Sequence, residues 1–179
     1  MLRHHDGIAR LLLRNASAST GWIAFGPWLL PCAIGFSGVS ARKREGDGAT
    51  PAGLMPLRQI LYRAGRVPRP RSQLPVRLIQ PNDGWCDAGN DANYNRQVRL
   101  PYPASTEALW RDDALYDIIV VLGFNDKPRS RSRGSCIFMH IASPGLTPTQ
   151  GCVALSRENL LRLIEAPVAL RALDTRRCR

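Results

Sequence analysis

Fourteen prolines interrupt the chain between Pro27 and Pro167. Each lacks a backbone donor and clashes with the preceding helical turn, so a coiled coil or any other long helix is excluded. Between the prolines lie short apolar runs bounded by Gly, Pro, Asn and Asp, the pattern of strands and turns. Trp22 to Phe36 reads as two short strands joined by turns, and residues 1–36 as the opening strands of the fold. Leu54 to Tyr62 reads as a strand. Asp117 to Gly123 is a β-branched apolar run without alternation, which marks a strand buried on both faces. Ser135 to Ala142 reads as another strand. One helix stands out, with Ser156 as N-cap, Glu158 in the first turn and Leu160, Leu161, Leu163 and Ile164 as an apolar face. Pro167 ends or kinks it. The expected class is mainly β with one or two helices.

The irregular segments differ in character. Residues 41–53 combine five charged residues with glycines and read as a surface loop. Residues 63–75 carry Arg63, Arg66, Arg69 and Arg71, with Arg77 just beyond, and read as an extended, mobile basic loop. Pro81 to Asn95 reads as irregular, although Trp85, Cys86 and Tyr94 make it more than a solvated linker. Arg129 to Arg133 is a polar loop. With 179 residues, 44% of them hydrophobic and 22% charged, the chain has enough apolar surface for a core and too little charge for disorder. It is read as one domain over 1–179.

Charge narrows the partners without choosing one. The chain has 25 Lys and Arg against 14 Asp and Glu, a net charge of +11, and its only lysines are Lys43 and Lys127. Such a field attracts nucleic acid, anionic membrane or anionic cell-wall polymer, and also fits a merely solvated Arg-rich surface. No stretch approaches the ~20 apolar residues of a membrane span. Ile8 to Arg14 is broken by arginine and lacks the uninterrupted apolar core of a signal peptide. The five cysteines are odd in number and form no C-x-x-C pair, so neither a metal site nor another cofactor is expected. His4 and His5 sit at the start, which leaves His140 as the only histidine in the body of the chain.

The chemistry centres on Phe138 to Ala142, a Pro/Gly/Thr loop, and then Thr149-Gln150-Gly151-Cys152. Strand alternation places Cys136, Phe138, His140 and Ala142 on one face, with Met139 opposite in the core. Four residues of strand hold Cys136 and His140 roughly 13 Å apart. Cys152 is better placed, because the loop turns the chain back beside the strand and Gly151 lets the backbone approach closely. An imidazole can draw the proton from such a thiol to give a thiolate–imidazolium pair. A buried core cysteine and a satisfied core histidine fit the same residues.

The order of these elements resembles the L,D-transpeptidase (YkuD-type) catalytic domain, a family of peptidoglycan cross-linking enzymes. Its histidine, short loop and Ser/Thr-x-Gly-Cys motif match His140 and Thr149-Gln150-Gly151-Cys152-Val153, and its Thr-Pro-x-Gly element matches Thr50-Pro51-Ala52-Gly53. The resemblance covers roughly residues 20–165 and points to the compact Gly-Cys-Val-Ala-Leu branch. Two positions depart from the usual pattern: Gln150 where many members have histidine, and Ala154 where many have an arginine that holds the substrate or orders the loop.

The resemblance implies a β-sandwich or barrel, and a reaction in which Cys152 forms a thioester with a stem peptide and passes the acyl group to an amine. His140 would move the protons, oriented by a backbone carbonyl or Ser135, and amides at Gly151 and Cys152 would hold the oxyanion. Arg133, Arg157 or the 63–77 arginines would replace the missing arginine. Tyr62, Trp85 and Tyr94 would wall the cleft, and Ser135 and Thr149 would touch substrate. The product would be a 3,3 bond, or a 1,3 bond from diaminopimelate to the first L-Ala of the stem. Peptidoglycan stem peptides are the expected partners, carbapenems the expected inhibitors and the periplasm or cell wall the expected location, with the cytoplasm as alternative. Two other functions remain open: an L,D-carboxypeptidase or endopeptidase on the same fold, and a basic nucleic-acid-binding module.

Overall fold

The computed structural model describes residues 6–15 and 17–176. His4, His5 and Cys178 lie outside the described residues, as do the first five residues of the opening segment. The chain opens with an antiparallel meander of β1 (Ile8–Leu12), β2 (Thr20–Phe25) and β3 (Trp28–Ala33). The loop between β2 and β3 is two residues long, and Gly26 supplies its positive φ of 61°. Two short strands, β4 (Val39–Ser40) and β5 (Thr50–Pro51), then pair in parallel. The long β6 (Leu54–Tyr62) and the short β7 (Val76–Leu78) follow.

A three-stranded sheet comes next, formed by β8 (Asp83–Cys86), β9 (Arg96–Arg99) and β10 (Thr106–Ala108), with β8 in the middle. The remaining elements are β11 (Ile118–Leu122), β12 (Phe138–Ile141), β13 (Val153–Leu155), α1 (Arg157–Ile164) and β14 (Ala172–Asp174). Strands β6, β11, β12, β13, β3, β2, β1 and β14 pair in that order, and β14 returns to β6. The sheet is therefore a closed barrel. Closure removes the unpaired edges that an open sheet would leave.

Strand alternation sorts side chains between two apolar clusters. Ile118, Val120 and Leu122 of β11 point into the barrel with Met139 and Ile141 of β12 and Val153 and Leu155 of β13. Ile119, Val121, Phe138 and Cys152 face outward, beneath Trp85 and Leu109 of the small-sheet region. That second layer is why β11 is buried on both faces, as its unbroken apolar run requires. Helix α1 begins as expected: Ser156 accepts from the Asn159 amide at 3.2 Å. Leu160, Leu163 and Ile164 join the barrel cluster, each burial worth about 1.5–3 kcal/mol, while Leu161 is only partly buried.

Three segments differ from the sequence-based reading. Residues 81–95 contain β8, fully buried, with Trp85 packed on Phe138 of the barrel wall. Two arginines of 63–75 are engaged: Arg63 lies 3.9 Å from the Trp110 ring centroid, and Arg66 donates to the Asp112 and Asp113 carbonyls, both at 3.0 Å. The 41–53 loop is only partly on the surface, since Lys43 and Gly48 to Pro51 are buried.

Candidate active site

Strands β12 and β13 run parallel, with His140 opposite Ala154 and Met139 opposite Val153. One step before that ladder, Cys152 lies beside Phe138, whose N–H points at the Cys152 Sγ from 3.4 Å. Alternation then sends Phe138, His140, Cys152 and Ala154 to the same outer face. Cys152 and His140 both line a cleft of about 570 Å³ on that face.

The imidazole is buried, and its Nδ1 lies 2.8 Å from the Ile141 carbonyl. A carbonyl only accepts, so Nδ1 carries the proton and Nε2 is the free basic nitrogen. The Tyr116 ring meets the imidazole edge-on, with centroids 5.2 Å apart. Burial holds the histidine pKa below its usual 6.5, and Arg111 adds to the effect. The Cys152 thiol donates to the Cys136 carbonyl at 3.1 Å. Burial, then the Glu107 carboxylate, pushes the thiol up to about 12. Burial thus works against both charges of the thiolate–imidazolium pair expected from the sequence and favours the neutral forms.

The loop that presents Cys152 is fixed from two sides. Thr149 Oγ1 donates to the Cys152 carbonyl at 2.6 Å and accepts from the Gly151 amide at 3.1 Å. Thr149 also bonds through its backbone to Ile34 and Phe36, just beyond β3. From the other side, the buried Thr50 accepts from the Gly35 amide and donates to the Gly151 carbonyl, both at 2.9 Å. Gly151 has φ +136°, and a Cβ there would lie 2.8 Å from the Ala49 carbonyl oxygen. Only glycine fits that approach.

The other expected residues divide. Ser135 lines the cleft, but its hydroxyl donates to Glu45 at 2.8 Å, and the imidazole is oriented by the Ile141 carbonyl instead. Tyr94 donates to the same Glu45 carboxylate and accepts from the Gly134 amide, so it braces the rim from behind. Trp85 backs Phe138 in a T-shaped contact at 5.1 Å and does not line the cleft. Tyr62 is a residue of the barrel core. Arg157 is drawn away to the buried Asp117, to which it donates at 2.8 Å. Arg133 does not line the cleft either. Cys136 is not on the strand, which starts at Phe138. Its φ of 53° turns it aside and its residue lines the cleft, so strand spacing from Cys136 to His140 does not apply.

Residues not singled out from the sequence complete the cleft. Arg111 supplies the guanidinium, tethered to Asp113 at 2.6 Å and 5.1 Å from the Tyr116 ring centroid. Lys43 also faces the cleft, held by Asp47 at 2.6 Å. Glu107 accepts from the Tyr116 hydroxyl, and its own pKa is raised by burial. Asp87 presents a buried Oδ1 that has no hydrogen-bond partner among the described residues. These residues come from polar segments without periodicity, so no sequence pattern marked them. No group of three or more potential metal ligands occurs among the described residues.

A closed β-barrel carrying a cysteine and a histidine in one outward cleft is the class of protein that fold and site define. The model of the L,D-transpeptidase catalytic domain, YkuD, matches residues 10–168, and the chain belongs to that family. No curated protein and no solved structure matches it. Family members act on peptidoglycan peptides and usually work outside the cytoplasm. No helix among the described residues is long and apolar enough to cross a membrane.

Proposed function

We propose that this protein is a peptidoglycan L,D-transpeptidase that cross-links stem peptides through a thioester on Cys152, in the periplasm or cell wall. The observation that carries this reading is the shared cleft: the Cys152 thiol and the imidazole of His140, with its Nε2 free, on one face of neighbouring strands. The donor stem enters with the carbonyl of its third residue over Cys152. Because burial favours the neutral thiol, sulfur attacks as its proton passes to His140 Nε2. The Phe138 N–H already points at sulfur and favours the developing thiolate. The tetrahedral oxyanion forms beside the Cys152 amide. The Gly151 amide is engaged by Thr149 Oγ1 and is not free for that task.

Imidazolium then returns the proton to the departing D-Ala amine, leaving the thioester. An acceptor amine attacks, His140 takes its proton, and the thiol is regenerated as the new amide forms. Arg111, in the cleft, is the cation placed to hold a substrate carboxylate, the task usually given to the arginine replaced here by Ala154.

Incubation with a disaccharide-tetrapeptide, followed by mass analysis of the products, tests this reading. A cross-linked dimer with loss of D-Ala is expected, and the fragmentation pattern names the bond. Free tripeptide without dimer would replace transfer with hydrolysis. Cys152→Ala should remove the dimer entirely while the protein stays folded. A carbapenem should add once, at Cys152; an adduct on Cys86 or Cys136 would sink the assignment.

A further inference from the structure

A second cavity of about 300 Å³ lies against the other side of the segment that carries the cleft. Ile137 lines both spaces, while Phe138 and Trp85 give the second one an apolar back wall. Arg58, Arg96, Lys127 and Arg129 line it with a single carboxylate, Asp126. Asp126 accepts from the Arg58 Nε at 2.8 Å, so that pair is neutral. Arg96, Lys127 and Arg129 have no ion pair and no side-chain hydrogen bond among the described residues. Elsewhere in the molecule the arginines beside cavities or buried acids are tied down: Arg111 by Asp113, and Arg66 and Arg157 by Asp117.

Three uncompensated cations around an apolar-backed hollow repel one another and concentrate anions. A guanidinium fork meets a carboxylate through two parallel hydrogen bonds, and the lysine adds a mobile point charge. The apolar wall with a few fixed polar groups is the make-up of a ligand pocket. Ile137 lines both the cavity and the cleft, so the two spaces adjoin the same segment.

We propose that this cavity is an anion subsite that takes free carboxylates of peptidoglycan stem peptides and so holds the polymer beside the reacting centre. The identity of the polymer rests on the function proposed above. The test reads binding and not turnover, so the two ideas fail separately.

Purified protein is pelleted with insoluble peptidoglycan sacculi over a series of protein and salt concentrations. Arg96→Gln, Lys127→Gln and Arg129→Gln are combined in one variant. Arg69→Gln, Arg71→Gln and Arg162→Gln form a control with the same net charge. The cavity variant is expected to bind about tenfold more weakly, and the control within about twofold of wild type. Sacculi with amidated carboxylates should retain wild-type protein about as poorly as native sacculi retain the cavity variant. Equal losses in both variants would reduce the effect to net charge and overturn the subsite. Undiminished binding by the cavity variant, or undiminished retention on amidated sacculi, would overturn it too. Thermal unfolding checks that the triple variant is folded. If it is not, Lys127→Gln alone, on an exposed loop, carries the test, with a loss of about threefold expected and no loss refuting the subsite.

Discussion

Burial disfavours charge on both His140 and Cys152, and this sets the direction of the expected pH response. A protonated His140 cannot accept the thiol proton, so kcat/KM falls as pH drops through the folded-state pKa of the histidine. Burial holds that pKa below 6.5. Activity should therefore persist through neutrality and fade with a midpoint below 6.5, and no second ionisation of the thiol should appear until far into alkali, since it lies up to about 12. A pH–rate profile with its acid limb centred above 7 would contradict the neutral pair. Glu107 sharpens the same point, because its negative charge opposes the thiolate. Glu107→Gln removes that charge and keeps the shape. Alkylation of Cys152 by iodoacetamide at neutral pH should then accelerate several-fold, and an unchanged rate would remove Glu107 from the electrostatics of sulfur. At this scale His140 and Cys152 were singled out by the family resemblance, since Gly-Cys after a turn and a lone histidine on a strand fit an ordinary core as well. Arg111 and Glu107 were not, since they reach the cleft only through tertiary folding from segments without a pattern.

Strands were legible wherever one residue in two, or every residue, had to be apolar. Thus Leu54 to Tyr62 and Asp117 to Gly123 became β6 and β11 nearly as read. The small sheet was not, because β9 and β10 are short, polar and held by pairing with the buried β8 and not by their own pattern. The Thr50-Pro51 element shows what a motif can conceal. Its threonine lies 101 positions before Gly151, yet one hydroxyl joins the Gly35 amide to the Gly151 carbonyl. Thr50→Val keeps the volume and leaves both buried groups without that partner, at a cost of about 1–3 kcal/mol. Thermal unfolding should drop by about 3–10 °C for a chain of this size. Cross-linking should fall further than stability explains, because Gly151 sets the position of Cys152. Thr50→Ser keeps the hydroxyl and should restore most of both. If Thr50→Ser were as impaired as Thr50→Val, packing of the methyl group and not the hydroxyl bridge would be what matters.

The whole barrel depends on a strand that no motif announced. Ala172–Asp174 lies beyond the region matched by the family model, is three residues long and follows Pro167, so nothing local marks it as the closing strand. It pairs in parallel with β1 and antiparallel with β6, joining the first strand of the chain to the middle. Leu170 and Leu173 enter the barrel core, worth about 1.5–3 kcal/mol each. Thr175 donates to the Pro51 carbonyl at 2.6 Å and accepts from the Gly53 amide at 2.9 Å. The end of the barrel thus holds the Thr50-Pro51 element, which holds Gly151, which positions the Cys152 thiol. Ending the chain after Pro167 removes these leucines, two ladders and the Thr175 bonds together. Their sum is comparable with the ~5–15 kcal/mol that keeps a domain folded. The shortened protein should lose cooperative urea unfolding, whereas Leu173→Ala should unfold cooperatively at lower urea, destabilised by about 2–5 kcal/mol. Cooperative unfolding of the truncated chain near the wild-type midpoint would show that the barrel holds without its closing strand, and that the link from the last strand to Gly151 carries no weight.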